Sequence, residues 1–137
     1  MEKPYNFSHT EERKSQMSTS NDDRWFYSFD GDQVGRRVQT LILENDVPGL
    51  VHLSRTVSSA VKTLRDELNG MGCEVLFAAG DSVMAVGPGR LALETLPIAE
   101  NGLTFSVGVG RTPRAALIAL AKAKTKGRGE IVRCEEL

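Results

Sequence analysis

The sequence lacks the features that mark several classes of protein. It has no excess of basic residues, because 17 Lys and Arg stand against 18 Asp and Glu, and the formal net charge is −1. This balance excludes binding of nucleic acid through bulk positive charge, so no stable DNA or RNA binding is expected. No apolar run approaches the roughly 20 residues that a membrane helix needs, so no membrane association is expected either.

Cysteine and histidine are also scarce. Cys73 and Cys134 are the two cysteines, and neither they nor the two histidines show the spacing of a zinc site. In the absence of a signal peptide, this cysteine usage indicates a reduced, cytoplasmic setting, with both cysteines acting as small buried hydrophobes.

Length and patterning predict one folded domain. A chain of 137 residues, 40% of them hydrophobic, is long enough for one core and too short for two. Residues 1–24 are polar and charged without an apolar period, which predicts a disordered N-terminal tail. A short helical extension that docks on a partner stays open for this segment. The ordered domain is expected over residues 25–137.

The most informative stretch is an aromatic run that ends in acids. Residues 25–29 are rich in aromatic side chains and predict a strand, and Asp30, Gly31 and Asp32 follow directly. The glycine lets the backbone turn sharply just past the strand. A strand that stops on carboxylates at the edge of a sheet is a candidate metal site.

A second acid lies in a comparable setting. Gly80 and Asp81 stand between two apolar runs, residues 73–78 and 82–86, and Gly-Asp between such runs indicates a hairpin.

The remaining elements follow from periodicity and breakers. Apolar residues at helical spacing predict helices, and alternating ones predict strands. The helices are expected over 34–42, 50–68, 90–96 and 113–127, and the further strands over 103–109 and 130–134.

This order of elements predicts an α+β, ferredoxin-like fold, in which helices pack on a mostly antiparallel sheet of four to five strands. In a split β-α-β core, the second strand of the hairpin inserts beside the first strand of the chain and runs antiparallel to it. The end of the first strand then lies beside the start of the inserted strand. Asp30 and Asp81 are therefore expected on one rim.

A group of cations is expected at the same rim. The helix that begins at Pro113 must run back toward the acids, and its last turn and the residues after it carry four cations. These are Lys122, Lys124, Lys126 and Arg128. Cations favour the C-terminus of any helix, so compensation of the helix dipole is a competing interpretation.

Acids and cations on one rim fit a metal-bound triphosphate. Mg²⁺ takes oxygen ligands from one or two carboxylates and from substrate phosphates, and cations neutralise the remaining phosphate charge. Each acid also has a simpler explanation: Asp81 is a common turn residue, and Asp30 or Asp32 could cap the next helix. A small interaction domain whose acids only form turns therefore stays an alternative.

Four segments together resemble a known family. They are residues 29–35 (Phe-Asp-Gly-Asp-Gln-Val-Gly), 79–82 (Ala-Gly-Asp-Ser), 105–110 (Phe-Ser-Val-Gly-Val-Gly) and 123–128 (Ala-Lys-Thr-Lys-Gly-Arg). In this order they resemble the palm domain of GGDEF diguanylate cyclases and of the polymerase subunit of type III CRISPR complexes. With no further domain attached, the chain is most similar to the minimal CRISPR polymerases, mCpol.

The resemblance implies a nucleotidyltransferase that makes a cyclic nucleotide messenger in prokaryotic anti-phage defence, with a separate effector that senses the product. It implies ATP as the substrate, cyclic di-adenylate as the product, Mg²⁺ or Mn²⁺ as the cofactor and a homodimer as the working form. By position, the metal ligands would be Asp30, the Gly31 backbone and Asp81. The nucleotide would lie against Gly31, Asp32, Gly80, Ser82, Lys124 and Arg128.

One departure from the family pattern keeps a second function open. The related motifs carry a further acid where this chain has Ser82, and Ala79 replaces a glycine. A serine hydroxyl can donate or accept a hydrogen bond but cannot hold a cation as a charged ligand. A catalytically silent palm that binds a nucleotide or a cyclic dinucleotide as a sensor is therefore the alternative.

Overall fold

The computed structural model describes residues 24–89, 91–96, 99–100 and 102–134. The predicted tail lies almost wholly outside these ranges, because only Arg24 is described, and it begins the first strand. None of the helices within these ranges is both long enough and apolar enough to cross a bilayer.

A mostly antiparallel sheet forms the centre of the fold. Its strands are β1 (Arg24–Gly31), β2 (Glu74–Ala79), β3 (Ser82–Pro88), β4 (Ala99–Glu100), β5 (Leu103–Gly110) and β6 (Ile131–Cys134). The main order is β2-β3-β1-β5-β4, and β6 runs parallel to β5. β3 lies between β1 and β2 and is antiparallel to both, which confirms the predicted insertion. The two-residue β4 was not predicted.

Three helices pack on the sheet: α1 (Val34–Leu43), α2 (Val47–Gly70) and α3 (Pro113–Lys126). The helix α2 begins three residues earlier than periodicity predicts, because Asp46 caps it by accepting a hydrogen bond from the Gly49 N–H at 2.9 Å. Pro48 is tolerated in the first turn, where no intrahelical N–H partner is needed.

The predicted helix over 90–96 is wrong in extent. Among the described residues of this segment, only Leu93–Thr95 form a short 3₁₀ turn. Leu93 is fully buried, and the hydroxyl of Tyr27 donates to the Gly89 carbonyl at 2.6 Å. Two buried leucines, Leu93 and Leu96, and an anchored turn are enough to cover the sheet here, so no longer helix is required.

The core lies on both faces of the sheet. On one face, Tyr27 and Phe29 of β1 pack with Leu64 and Leu68 of α2, and all four are at most 1% exposed. On the other face, Phe26 packs with Val86 of β3 and Ala116 of α3. The odd residues of β1 face one layer and the even ones face the other, as strand alternation requires.

Helix α3 lies unusually close to β5 because two glycines of that strand leave room for it. A Cβ atom on Gly108 would lie 2.2 Å from both the Ala116 carbonyl oxygen and the Leu120 nitrogen. This close approach sets the position of the helix whose C-terminal turn reaches the acids.

We therefore expect Gly108→Ala to lower the free energy of unfolding by about 1–3 kcal/mol, because the added methyl meets helix backbone, which cannot move aside as a flexible side chain can. The matched control is Gly70→Ala at the end of α2, where a Cβ meets nothing within 4 Å. Urea unfolding of both variants tests this. Equal stability of the two variants would contradict the close packing.

Candidate active site

Asp30 and Asp81 meet at one rim of the sheet, as the strand order predicts. Asp30 pairs in register with Ser82 of β3, and the Gly31 N–H donates to the Asp81 carbonyl at 3.1 Å. The Ser82 hydroxyl donates to Asp30 Oδ1 at 2.7 Å. The position that carries an acid in related motifs thus holds a donor that orients the neighbouring carboxylate.

Gly31 allows the two acids to approach each other. A Cβ atom at this position would lie 2.9 Å from Asp81 Oδ2 and 2.8 Å from a methyl of Val34. Any side chain here would displace the Asp81 carboxylate from the end of β1.

The environment of Asp81 disfavours its negative charge. Burial raises the pKa of the Asp81 carboxyl above its ordinary value, and the charge of nearby Asp30 raises the pKa further. Backbone hydrogen bonds and the charge of Lys124 oppose this shift without cancelling it. Two carboxylates that repel each other in this way favour the binding of a cation between them.

The third acid, Asp32, is directed into the protein. It is 3% exposed, and its carboxylate accepts hydrogen bonds from the Thr104 and Ser106 hydroxyls at 2.6 and 2.7 Å and from the Gly129 N–H at 2.8 Å. Lys124 Nζ lies 3.1 Å from Asp32 Oδ1. The family resemblance places Asp32 at the nucleotide; in the structure, its partners are protein groups, and its link to the rim runs through Lys124.

Burial alone would raise the pKa of Asp32, but its hydrogen bonds outweigh that effect. Together, Thr104, Gly129, Ser106 and Lys124 hold the pKa below its ordinary value. Asp32 is therefore a stably ionised group inside the protein.

Lys124 connects all parts of the site. Its ammonium lies 3.1 Å from Asp30 Oδ2 and donates to the Gly31 carbonyl at 2.8 Å. The predicted return of α3 to the acids is thereby confirmed. The ammonium also donates to the Gly31 carbonyl that the family resemblance assigns to a metal, so a metal bound there would share that oxygen with Lys124 or displace it.

Gly80 and Arg128 lie at the two ends of the rim. Gly80 is in the exposed turn between β2 and β3 with φ +59°, a conformation that favours glycine. Arg128 is exposed, and its Nη2 lies 3.4 Å from the Gly102 carbonyl oxygen, just before β5.

The turn after Asp32 leads into α1 with backbone donors available. Gln33 adopts a left-handed conformation, φ 60°, and its side chain makes no capping hydrogen bond. The first N–H groups of α1 therefore lie next to the acids without a side-chain cap. Such helix N-termini favour phosphate groups.

A cavity of about 460 Å³ opens beside the acids, between α1 and α2. Its walls are mostly apolar, and its floor is the hairpin turn. The lining residues are Val34, Val38, Leu50, Leu53, Ser54, Val57, Ser58, Gly80 and Asp81. The sequence predicts the two apolar stripes but not the cavity, because the same stripes would also suit two helices packed in full contact.

The donor set fits a hard divalent cation. Within the described residues, no three His, Cys, Asp or Glu side chains come together as a closed metal cage. Asp30 and Asp81 nevertheless present carboxylate oxygens at one rim, where the Lys124 ammonium contacts Asp30 and its charge acts on Asp81. Mg²⁺ is usually held by one or two carboxylates together with substrate oxygens, so a cage of three acids is not needed.

The Asp32 network gives a testable stability prediction. Asp32→Asn replaces an acceptor oxygen by an amide that faces hydroxyl, N–H and ammonium donors, so we expect a loss of about 2–4 kcal/mol in the free energy of unfolding. The control is Asp66→Asn, whose exposed pair with Lys62 is worth no more than about 0.5 kcal/mol. Chemical denaturation measures both, and similar losses would show that the buried network contributes little.

Solved structures similar to this fold include nucleotide cyclases. The diguanylate cyclase/phosphodiesterase of Caldicellulosiruptor saccharolyticus matches with TM-score 0.57 and 18% identity, covering 90% of this chain and 85% of that one. The active GGEEF domain of a Vibrio cholerae diguanylate cyclase matches with TM-score 0.58 and 15% identity over 88% and 87%. At these identities the likeness establishes the fold.

A CRISPR component shares the fold as well. The Csm1-Csm4 cassette in complex with cA4 matches with TM-score 0.52 and 21% identity, covering 80% of this chain and 20% of the other. A comparison with curated proteins finds no match. The model of the minimal CRISPR polymerase domain, mCpol, matches residues 26–134, which include every acid and cation of the site. The chain therefore belongs to the mCpol family and has a palm fold like that of the nucleotide cyclases.

Proposed function

We propose that this protein is a metal-dependent nucleotidyltransferase that joins nucleoside triphosphates into a cyclic dinucleotide. The observation that carries the proposal is the meeting of Asp30 and Asp81 at one rim of the sheet, where Asp81 also lines the cavity between α1 and α2. In a chain of the mCpol family, with a palm fold shared by cyclases, this arrangement supports phosphoryl transfer better than a purely structural role for the acids.

The cavity is suited to the nucleoside. Its volume lies within the range of small-molecule sites, and apolar walls with a few hydroxyls suit a base and a ribose. Because Asp81 and Gly80 line the same cavity, a nucleoside bound there would direct its phosphates toward the rim. The family resemblance, and no residue of the cavity, is the reason for proposing adenine and hence ATP.

Each charged residue has a defined task in this proposal. Asp30 and Asp81 would hold Mg²⁺ or Mn²⁺, which, when bound, would act as a Lewis acid at the reacting phosphate. Ser82 keeps one oxygen of Asp30 oriented. Lys124 would transfer part of its contact from the carboxylates to phosphate oxygens once a triphosphate is bound, because it already contacts Asp30 and Asp32 and its charge acts on Asp81.

The bonds that change are those of two phosphoryl transfers. In each, a 3′- or 2′-hydroxyl oxygen of one nucleotide bonds to the α-phosphorus of another, the hydroxyl proton is lost, and the bond to pyrophosphate breaks. Two transfers convert two ATP into one cyclic di-adenylate and two pyrophosphate. Because one palm presents one triphosphate, we propose that two copies face each other as a homodimer.

The proposal includes a biological role. Membership in the mCpol family supports a role in prokaryotic anti-phage defence, in which a separate effector senses the cyclic product. Such a messenger system requires no contact between this protein and nucleic acid, which agrees with the balanced charge of the chain.

Product analysis tests the reaction and the site together. Purified protein is incubated with each of the four ribonucleoside triphosphates and with their mixture, in Mg²⁺ or Mn²⁺, and products are identified by mass spectrometry. We expect cyclic di-adenylate from ATP, and a loss of at least about 100-fold in its rate for Asp30→Ala, because removing one ligand impairs charge stabilisation at the phosphate. Chelation of the metal with EDTA should abolish the product.

The matched control is Asp66→Ala, which removes an exposed acid on α2 away from the rim and should leave the rate unchanged. Failure to form any cyclic product, in protein that still binds ATP, would contradict the enzyme and support the silent sensor instead. A product whose rate does not depend on Asp30 would show that the acids at this rim are not the reaction site.

A further inference from the structure

Two arginines from different parts of the chain meet at one carbonyl. Arg37 Nη1, on α1, lies 3.5 Å from the Gly102 oxygen, and Arg128 Nη2, just after α3, lies 3.4 Å from the same oxygen. These two nitrogens are therefore no more than about 7 Å apart, the sum of the two distances. Arg37 was not indicated by any sequence motif.

Within the described part of the chain, no ion pair offsets the charge of these two guanidinium groups. Each directs one nitrogen toward the shared carbonyl at the long end of hydrogen-bond distance. Asp32 offers them no further hydrogen bond, because its two oxygens already accept from Thr104, Ser106, Gly129 and Lys124. Two positive groups held this close favour a polyvalent anion between them.

The strand order shows where the two arginines lie relative to the acids. Gly102 directly precedes β5, whose Phe105 pairs with Gly31, and the Asp32 N–H donates to the Thr104 carbonyl at 2.8 Å. The arginines thus lie on the same rim as Asp30, on the β5 side of β1. Asp81 lies on the β3 side, because β3 and β5 flank β1.

Lys124 lies between these two groups. Its ammonium contacts Asp30 and Asp32 at the end of β1, so positive charge continues along the rim from the acids toward the arginines. A nucleotide whose α-phosphate is at the carboxylates would extend its further phosphates along this line. The guanidinium fork matches phosphate oxygens in a two-bond geometry that an ammonium cannot provide.

We propose that Arg37 is a further binding residue of this site, and that it joins Arg128, which the family resemblance already places at the nucleotide, in a clamp for the terminal phosphates of a nucleoside triphosphate. The identity of the nucleotide rests on the proposed function, whereas the clamp itself requires only a polyphosphate. When the α-phosphate is transferred, the same two groups would stabilise the charge that develops on the departing pyrophosphate.

The test compares ligands that differ in phosphate content. Isothermal titration calorimetry measures binding of inorganic tripolyphosphate, ATP and AMP to the wild type and to Arg37→Ala. We expect Arg37→Ala to weaken binding of tripolyphosphate and ATP about 10-fold or more and to leave AMP binding unchanged, since AMP has no terminal phosphates. Arg37→Lys, which keeps the charge and loses the fork, should give an intermediate loss.

Arg36→Ala is the matched control, because it removes the adjacent, exposed arginine of the same helix. Thermal unfolding of each variant confirms that it is folded. Equal affinity of Arg37→Ala and Arg36→Ala for tripolyphosphate would overturn the clamp, as would a wild type that binds no tripolyphosphate. A wild type that binds tripolyphosphate through Arg37 but makes no cyclic product would retain the clamp and refute only the proposed reaction.

Discussion

The buried carboxylate of Asp32 is the interaction on which the rest of the site depends. It receives hydrogen bonds from β5, through Thr104 and Ser106, and from the turn after α3, through Gly129. It also contacts Lys124. One ionised group therefore fixes the end of β1, the strand beside it and the helix that returns to the rim. Since a buried charge is costly unless it is fully paired, the three segments must close around it together.

The same network explains why the rim is poised for a cation. Lys124 divides its contacts between Asp32, whose hydrogen bonds hold its pKa below the ordinary value, and Asp30, which stands at the surface of the site. Its charge therefore only partly offsets Asp30 and Asp81, and the pKa of Asp81 remains raised by burial and by Asp30. Repulsion between the Asp30 and Asp81 carboxylates costs stability, and proteins retain such repulsion at sites where a bound ligand relieves it. The Asp32 network supplies rigidity that this arrangement requires.

Sequence patterns predicted the parts of the fold that depend on chain order. The aromatic strand, the Gly-Asp hairpin and the returning helix suffice to bring Asp30, Asp81 and Lys124 together, because strand insertion follows from topology. Patterns could not show that Asp32 faces inward, since it lies in the turn that directly follows β1, where strand alternation no longer applies. They also missed Arg37, because its meeting with Arg128 depends on where α1 lies against the turn at Gly102. The helix expected over 90–96 was predicted too long, because the apolar residues of this segment pack around one short turn.

Ser82 shows how a departure from a family pattern can be understood physically. An acid at this position would face Asp30 directly across the strand pair, where like charges destabilise, and it would add a fourth carboxylate to a cluster that contains one ammonium. The serine hydroxyl instead donates to Asp30 at 2.7 Å and fixes its orientation without adding charge. Two carboxylates are sufficient for a metal that takes its remaining ligands from substrate phosphates and water. The serine at position 82 therefore lowers the negative charge of the site and leaves Asp30 and Asp81 as the candidate metal ligands.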